Sequence, residues 1–446
     1  MNTQKKTFLF LLILVSQIIL CLGFDKLQWD EAVYVMNAKH FAGQKIYFED
    51  IRPPLHPLMY SVFIRLGLGD QTCLYIGLVS AIILYLTYLL AEDLFGPETG
   101  LYSLMFLASN PLYMYWSTRF FSSVPATMFI LLSVISVRRY MKTDKTTHYF
   151  TAFISCSLAF LTRHPLGLSL LIAYFLLFFK KHGFDIASFL STPKTHLGFL
   201  IFLTPVIPWL IYLNRFRGPY ITFKMAVHWP SQVSSDFLLY FKSIPLVFGL
   251  QIFLVAYAFW LYLKKPRPLD ELTYPLLPFL VLAGFFQVFS QKQLRFLVPL
   301  IPFASILVVQ PVLQVVQSRG KKMIILFFIV SAAAGIYASN CIDSKQCSQK
   351  GFELAGKTIQ SLGGGNILSN HWPYAAYYSS QHSRSMPAKE LFDKTISEFG
   401  AQYVLTTGSG GWPPYANNQS FFTNRGYALV FSHNGTCYDT YLYEIV

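Results

Sequence analysis

Apolar residues in this chain come in long blocks, not in period-2 or period-3.6 stripes. The blocks lie near 7–24, 70–95, 98–116, 121–138, 147–162, 165–180, 196–213, 244–263, 272–289, 295–316 and 323–339. Runs of roughly 18–25 apolar residues read as helices that cross a bilayer. The pattern predicts about eleven spans and a polytopic α-helical membrane protein. Short basic clusters punctuate the blocks: Lys5-Lys6, Arg138-Arg139 with Lys142 and Lys145, Lys180-Lys181, Lys264-Lys265 with Arg267, and Arg319 with Lys321-Lys322. Loops rich in Lys and Arg stay cytoplasmic. With Lys5-Lys6 inside and strict alternation, every one of these clusters falls on the inner side. The N-terminus is then cytoplasmic and the C-terminus extracytoplasmic. The run from Phe8 to Phe24 is long and no small-x-small cleavage pattern follows it, so a retained first helix is expected rather than a signal peptide.

The outer face then receives residues 25–69, the 214–243 loop, several short turns, and everything after 340. In the first of these loops, Asp30 can cap a helix with Val33, Met36 and Phe41 at helical spacing. After Pro53-Pro54 an apolar helix over about 57–67 is too short to span and is expected to lie in the interface, as is a segment around Phe237–Phe241. From about 340 the composition becomes that of a soluble domain. Helix-like "FELAGKTIQSL" precedes strand-like "NILSN", "AKELFDKTISEFG" precedes "YVLTTGS", and "YALVFSHN" and "TYLYEIV" close the chain. Such alternation predicts a small α/β domain. The expected organisation is a membrane domain over 1–339 and an extracytoplasmic domain over 340–446.

Composition sharpens this picture. The 446 residues are 54% hydrophobic and only 13% charged, about half the charge of a soluble globule. The net charge of +14 does not point to nucleic acid, because the basic clusters border apolar runs and act as topology signals. Cys341, Cys347 and Cys437 fall in the oxidising outer part, where one disulfide is expected, whereas Cys21, Cys73 and Cys156 lie in or beside spans as core residues. Asn418-Gln-Ser and Asn434-Gly-Thr are sequons on the outer side. No metal or other cofactor is called for by the residue pattern.

Ionisable groups at the membrane's outer edge are costly there, and they usually pair or work. Asp30 and Glu31 head them: either a first-turn acidic pair favoured by the helix dipole, or a general base placed to take a proton from an acceptor hydroxyl. Arg52, Arg119, Arg163, Lys292 and Arg295 all fall at outer ends, with His56 and His164 beside them. Singly, each cation reads as a snorkelling side chain. Together they would suit a phosphate or pyrophosphate headgroup, since Arg offers planar bidentate donors.

The order of these elements resembles the polyprenyl-phosphate-sugar-dependent glycosyltransferases of the GT-C fold. Within them it is similar to the dolichyl-phosphate-mannose protein mannosyltransferases and to the bacterial transferases of aminoarabinose onto lipid A. The resemblance is carried by "WDEAVYV" after the first span, "RPPLHPLMYSVFIRLGLG", "LLAEDLFGPETG", "STRFFSSVPATMFILLS", "TRHPLGLSLL" and "LRFLVPLIPF", in that order. It implies inverting transfer of a sugar, mannose by analogy, from a polyprenyl or dolichyl phosphate to a protein, lipid or lipid-linked glycan. Asp30 would be the base. Arg52, Arg119, Arg163, Lys292 and Arg295 would hold the donor phosphate, and Glu31, His56 and His164 would orient the reacting groups. Where many relatives carry a further acid after the Arg of the fourth span, this chain has Ser122, Ser123 and Val124. A flippase or transporter of lipid-linked glycans and a non-catalytic scaffold are the alternative readings. The first would want charges at mid-membrane and internal repeats, and the chain has neither pattern.

Overall fold

The structure, a computed structural model, describes residues 3–22, 27–69, 72–183, 185–217, 236–264, 269–289, 292–316, 318–344, 348–408, 412–435 and 437–445. By packing the chain divides into two compact units. One holds residues 1–24, 53–56 and 73–341; the other holds 25–52, 57–72 and 342–446. The first outer loop thus groups largely with the C-terminal residues and not with the spans that flank it in sequence.

Among the described residues, eight helices are long and apolar enough to cross a bilayer: Thr72–Phe95, Ser123–Thr143, His164–Lys181, Pro193–Arg215, Ile244–Lys264, Asp270–Val288, Leu294–Val315 and Gly320–Ile342. The expected first span is an apolar helix over Thr3–Leu22, and the expected fifth is the 17-residue helix Thr146–Thr162. Ion pairs tie the basic clusters of the membrane unit together. Arg138 reaches Glu271 at 2.8 Å and Asp93 at 3.4 Å, Lys180 reaches Asp270 at 2.7 Å, and Lys321 reaches Glu98 at 2.6 Å. The helix ends that carry these clusters therefore share one end of the bundle.

The expected span over 98–116 is corrected. It is two helices, Pro97–Ala108 and Pro111–Ser117, broken at Ser109-Asn110. A Pro cannot supply the backbone N–H of a continuing helix, so the freed groups need partners. Asn110 Oδ1 accepts from the backbone N–H of Tyr113, while its Nδ2 donates to the Val247 carbonyl at 3.0 Å and to Gln251 Oε1 at 2.9 Å. Gln251 Nε2 in turn donates to the Phe106 carbonyl and to Ser109 Oγ. Asn110 and Gln251 are both fully buried. Replacing Asn110 with Ala removes a cap and strands Gln251, which should cost about 2–4 kcal/mol. A melting curve of the detergent-solubilised protein should drop by several degrees; an unchanged curve would contradict this account of the break.

The second unit is built on a five-stranded sheet of order β2-β1-β3-β5-β4, with β1 (Ile367–Ser369), β2 (Ser383–Ser385), β3 (Tyr403–Thr407), β4 (Ala428–His433) and β5 (Thr440–Glu444). β1 pairs in parallel with β2 and β3, and β5 runs antiparallel to β3 and β4. The α/β expectation for this region is met; β2, only three residues long, has no counterpart in the sequence reading. Alternation along the strands separates two cores. Ile367, Tyr403, Leu405 and Leu442 face one side, with Phe352, Ala355 and Ile359 of the helix Lys350–Ser361. Leu368, Val404 and Tyr443 face the other, with Phe392, Phe421 and Phe422. Cys437 is disulfide-bonded, as expected for this part of the chain, while Cys347 lies outside the described residues.

The helix Trp29–Phe41 belongs to this unit. Every residue from Glu31 to Ala38 is buried, and Ala32 joins the first core. The buried stretch covers every face of the helix, so its polar members Glu31 and Asn37 need partners there, and both have them. The interfacial helix expected over about 57–67 is Leu55–Phe63, followed by a π-turn over Ile64–Leu68 in which Gly67 sits at φ 79°, a conformation open to glycine. Near Phe237–Phe241 there is a single turn, Leu239–Lys242; the loop residues 218–235 lie outside the described residues.

Candidate active site

Asp30 does not cap its helix, which corrects that expectation. The cap residue is Gln28, whose backbone N–H donates to Glu31 Oε2 at 2.7 Å. Glu31 is thereby committed to holding the helix start, where the dipole favours an anion. Asp30, one position earlier in the first turn, turns to the following loop. Its Oδ1 accepts from Arg52 Nη2 at 2.9 Å, and Arg52 Nε donates to Glu49 Oε1, also at 2.9 Å. The three side chains are mostly buried, at 15–18% exposure. Two carboxylates against one guanidinium leave this group net negative. Burial opposes a charge on Arg52, but the carboxylates of Asp30 and Glu49 outweigh it and hold the guanidinium firmly protonated.

Glu49 is fixed from behind. Asn37 takes both its backbone groups, donating to the Glu49 carbonyl at 3.0 Å and accepting from its N–H at 2.8 Å. The Tyr47 hydroxyl donates to Glu49 Oε2 at 2.9 Å and accepts from Trp372 Nε1 at 3.0 Å. Burial first, then the neighbouring Glu49, raises the Tyr47 hydroxyl far above its ordinary range, so it stays protonated. Glu49, Tyr47 and Trp372 escaped the sequence reading. An acid three residues ahead of Arg52, in "FEDIR", was the one available signal; nothing local links either to Trp372.

The remaining expected cations lie in the membrane unit, and three of them share a row of aromatic rings. Arg163 stacks 4.4 Å from the Phe296 ring centre, and Arg295 lies 5.9 Å from that ring and 4.6 Å from Phe121. Phe121 packs on Trp116 at 5.2 Å, Trp116 on Tyr115 at 4.9 Å, and Arg119 lies 5.4 Å from Tyr115. Guanidinium planes on ring faces are held by cation–π attraction, and Arg295 Nε also donates to Gln293 Oε1. Lys292 is set apart, donating to the Phe289 carbonyl at 2.8 Å and lying 5.7 Å from the Phe237 ring. His56 is fully buried, its Nδ1 3.1 Å from the Tyr75 hydroxyl and its ring 4.4 Å from Phe120; burial pushes it down to about 3, so it is neutral. His164 accepts from Trp209 Nε1 at 3.0 Å, which places its own proton on Nδ1. Among the described residues no group of three or more His, Cys, Asp or Glu side chains is placed to hold a metal ion.

Beside Trp29, which neighbours Asp30 in the chain, His371 is enclosed by the rings of Phe352, Tyr374 and Tyr438. Burial lowers it from 6.5 to about 4. Below 6.5 the unfolded chain takes up a proton that the folded imidazole refuses, so stability present above 6.5 falls progressively as pH drops towards 4. The loss amounts to roughly 3 kcal/mol. Melting temperatures at pH 7 and pH 5 should therefore differ more for the wild type than for His371→Gln; equal differences would refute it.

Residues 51–212 match the family model described as dolichyl-phosphate-mannose-protein mannosyltransferase. A protein of Aquifex aeolicus (strain VF5), itself described as uncharacterized, is 27% identical over 326 residues, which take in 67% of this chain and 62% of that one. The chain thus spans less than two thirds of that relative's length. Among solved structures, ArnT of Cupriavidus metallidurans bound to undecaprenyl phosphate has a TM-score of 0.73 at 12% identity, covering 99% of this chain and 98% of that one. The arabinofuranosyltransferase AftD from mycobacteria has a TM-score of 0.56 at 10% identity, covering 98% and 40%. The oligosaccharyltransferase of Archaeoglobus fulgidus in its apo form has a TM-score of 0.53 at 11% identity, covering 90% and 69%. The chain is a polytopic membrane protein of the GT-C glycosyltransferase fold.

Proposed function

We propose that this protein is a membrane glycosyltransferase that takes a sugar from a polyprenyl or dolichyl phosphate and places it on a hydroxyl-bearing protein, lipid or lipid-linked glycan. The observation that carries the reading is Asp30, a carboxylate held by a mostly buried guanidinium at the start of a helix whose residues 31–38 are all buried. The fold it shares over nearly its whole length with an undecaprenyl-phosphate-bound protein, and the family model over 51–212, support the donor class. The positive-inside pattern supports transfer on the extracytoplasmic side.

In the proposed reaction Asp30 accepts the proton of the acceptor hydroxyl. The acceptor oxygen bonds to the anomeric carbon from the face opposite the leaving group. The bond from that carbon to the phosphate oxygen breaks, and its electron pair leaves on the lipid phosphate. The charge that develops there is of the kind cationic side chains stabilise, the role that the family resemblance gives to Arg119, Arg163 and Arg295. Arg52, committed to two carboxylates, is assigned to holding Asp30 and not to the phosphate. Mannose remains the sugar suggested by family analogy.

The reading is tested by loading membranes that contain the protein with radiolabelled undecaprenyl-phosphate-mannose or undecaprenyl-phosphate-glucose and following label into protein, lipid and glycan fractions. Label that moves only when the protein is present supports the reading and names the acceptor fraction. No movement with either donor would remove it.

A further inference from the structure

We infer that Trp372, Tyr47 and Glu49 are positioning residues for Asp30, joined to it through Arg52 by one unbroken line of hydrogen bonds. The inference rests on the reading of Asp30 as the base. Each link is short: Trp372 Nε1 to the Tyr47 hydroxyl at 3.0 Å, that hydroxyl to Glu49 Oε2 at 2.9 Å, Glu49 Oε1 to Arg52 Nε at 2.9 Å, and Arg52 Nη2 to Asp30 Oδ1 at 2.9 Å.

The chemistry of the groups leaves a single polarity. An indole N–H only donates, a guanidinium only donates, and an ionised carboxylate only accepts. The Tyr47 hydroxyl must therefore take the indole proton as acceptor and give its own to Glu49. Both oxygens of Glu49 are used in the line, and its backbone is held on both sides by Asn37. Asp30 receives one bond from Arg52 along this line, so the direction of its carboxylate depends on where Arg52 is held. Glu49 holds Arg52, and Tyr47 and Trp372 hold Glu49. A second tether runs in parallel: the Trp372 ring meets Trp29, the residue before Asp30, edge-on at 5.0 Å. The C-terminal segment "HWPYAAYY" thereby bears on the proposed base from 342 positions away in sequence. A displacement of about 1 Å in such a group can cost on the order of a hundredfold in rate.

The experiment measures kcat and KM for the lipid-linked donor with the full-length protein in four forms: wild type, Tyr47→Phe, Asp30→Asn, and the two combined. Tyr47→Phe keeps the ring and removes both of its links in the line. It should lower kcat about tenfold with KM unchanged, the effect of losing a hydrogen bond to a charged group. In the Asp30→Asn background the same substitution should change nothing further, because there is no base left to position. Trp372→Phe, which cuts the line at its far end, should behave in the same way. Equal losses in both backgrounds would mark a merely structural contribution and overturn the inference, as would full kcat in Tyr47→Phe. If Asp30→Asn itself keeps wild-type kcat, or no form transfers sugar, the base assignment falls and the inference falls with it. The Asp30→Asn result alone thus separates failure of the base reading from failure of the positioning line.

Discussion

Asp30→Asn should reduce sugar transfer by about a hundredfold to ten-thousandfold, the range that a positioned general base contributes. Asn is close to Asp in size and can still accept a hydrogen bond from Arg52 through its amide oxygen, so the helix Trp29–Phe41 should fold as before. What is lost is the capacity to take a proton. On the proposed reading the donor is held by cationic side chains and not by Asp30, so KM for the lipid-linked sugar should change little while kcat collapses. Glu31→Gln provides the contrast. That side chain is spent on the Gln28 backbone N–H, and its loss should show as reduced stability of about 1 kcal/mol with a far smaller effect on rate. If Glu31→Gln matched Asp30→Asn in rate, the division of labour between the two acids would be wrong.

Arg52→Met should be the most destabilising single change in the second unit, at about 3–5 kcal/mol. Arg52 bridges Asp30 and Glu49, and its guanidinium also lies 5.7 Å from the Tyr34 ring. Met fills much of the same volume but leaves two mostly buried carboxylates without their shared counter-ion. Arg52→Lys should recover part of the loss, because one ammonium cannot reproduce two separately directed donors. Thermal melting and protease sensitivity of the purified protein report the order wild type, Lys, Met. A Met variant as stable as the wild type would mean that the ion pairs contribute nothing net.

Much of the membrane unit was legible because a bilayer imposes a crude, strong code. Apolar length reports spans and basic clusters report their ends, and the ion pairs from Arg138, Lys180 and Lys321 gather clusters that the charge pattern had assigned to one side. The broken helix at Asn110 was hidden by that same code, since hydropathy averages over a single Asn-Pro, although the dipeptide is itself a turn signal. The small sheet was legible from strand alternation. The grouping of residues 25–52 with the C-terminal region was not. It is carried by contacts such as Tyr47 with Trp372, and no local propensity encodes a partner 325 residues away. For the same reason Asp30 stood out by position, whereas the residues that hold it did not.

The break at Asn110 also bears on how the chain is made. Its partners, Val247 and Gln251, are translated 137 and 141 residues later. At about 5–20 residues per second, the two half-helices wait on the order of ten to thirty seconds before those partners exist. Until then the Asn110 amide lacks these acceptors, and an unpartnered polar group costs several kcal/mol in an apolar medium. The segment 97–117 therefore cannot be released into lipid in the order of its synthesis. It must be held at a hydrated or protein-lined site until the span Ile244–Lys264 arrives, so a ribosome stalled before residue 251 should leave it accessible to water-borne labels.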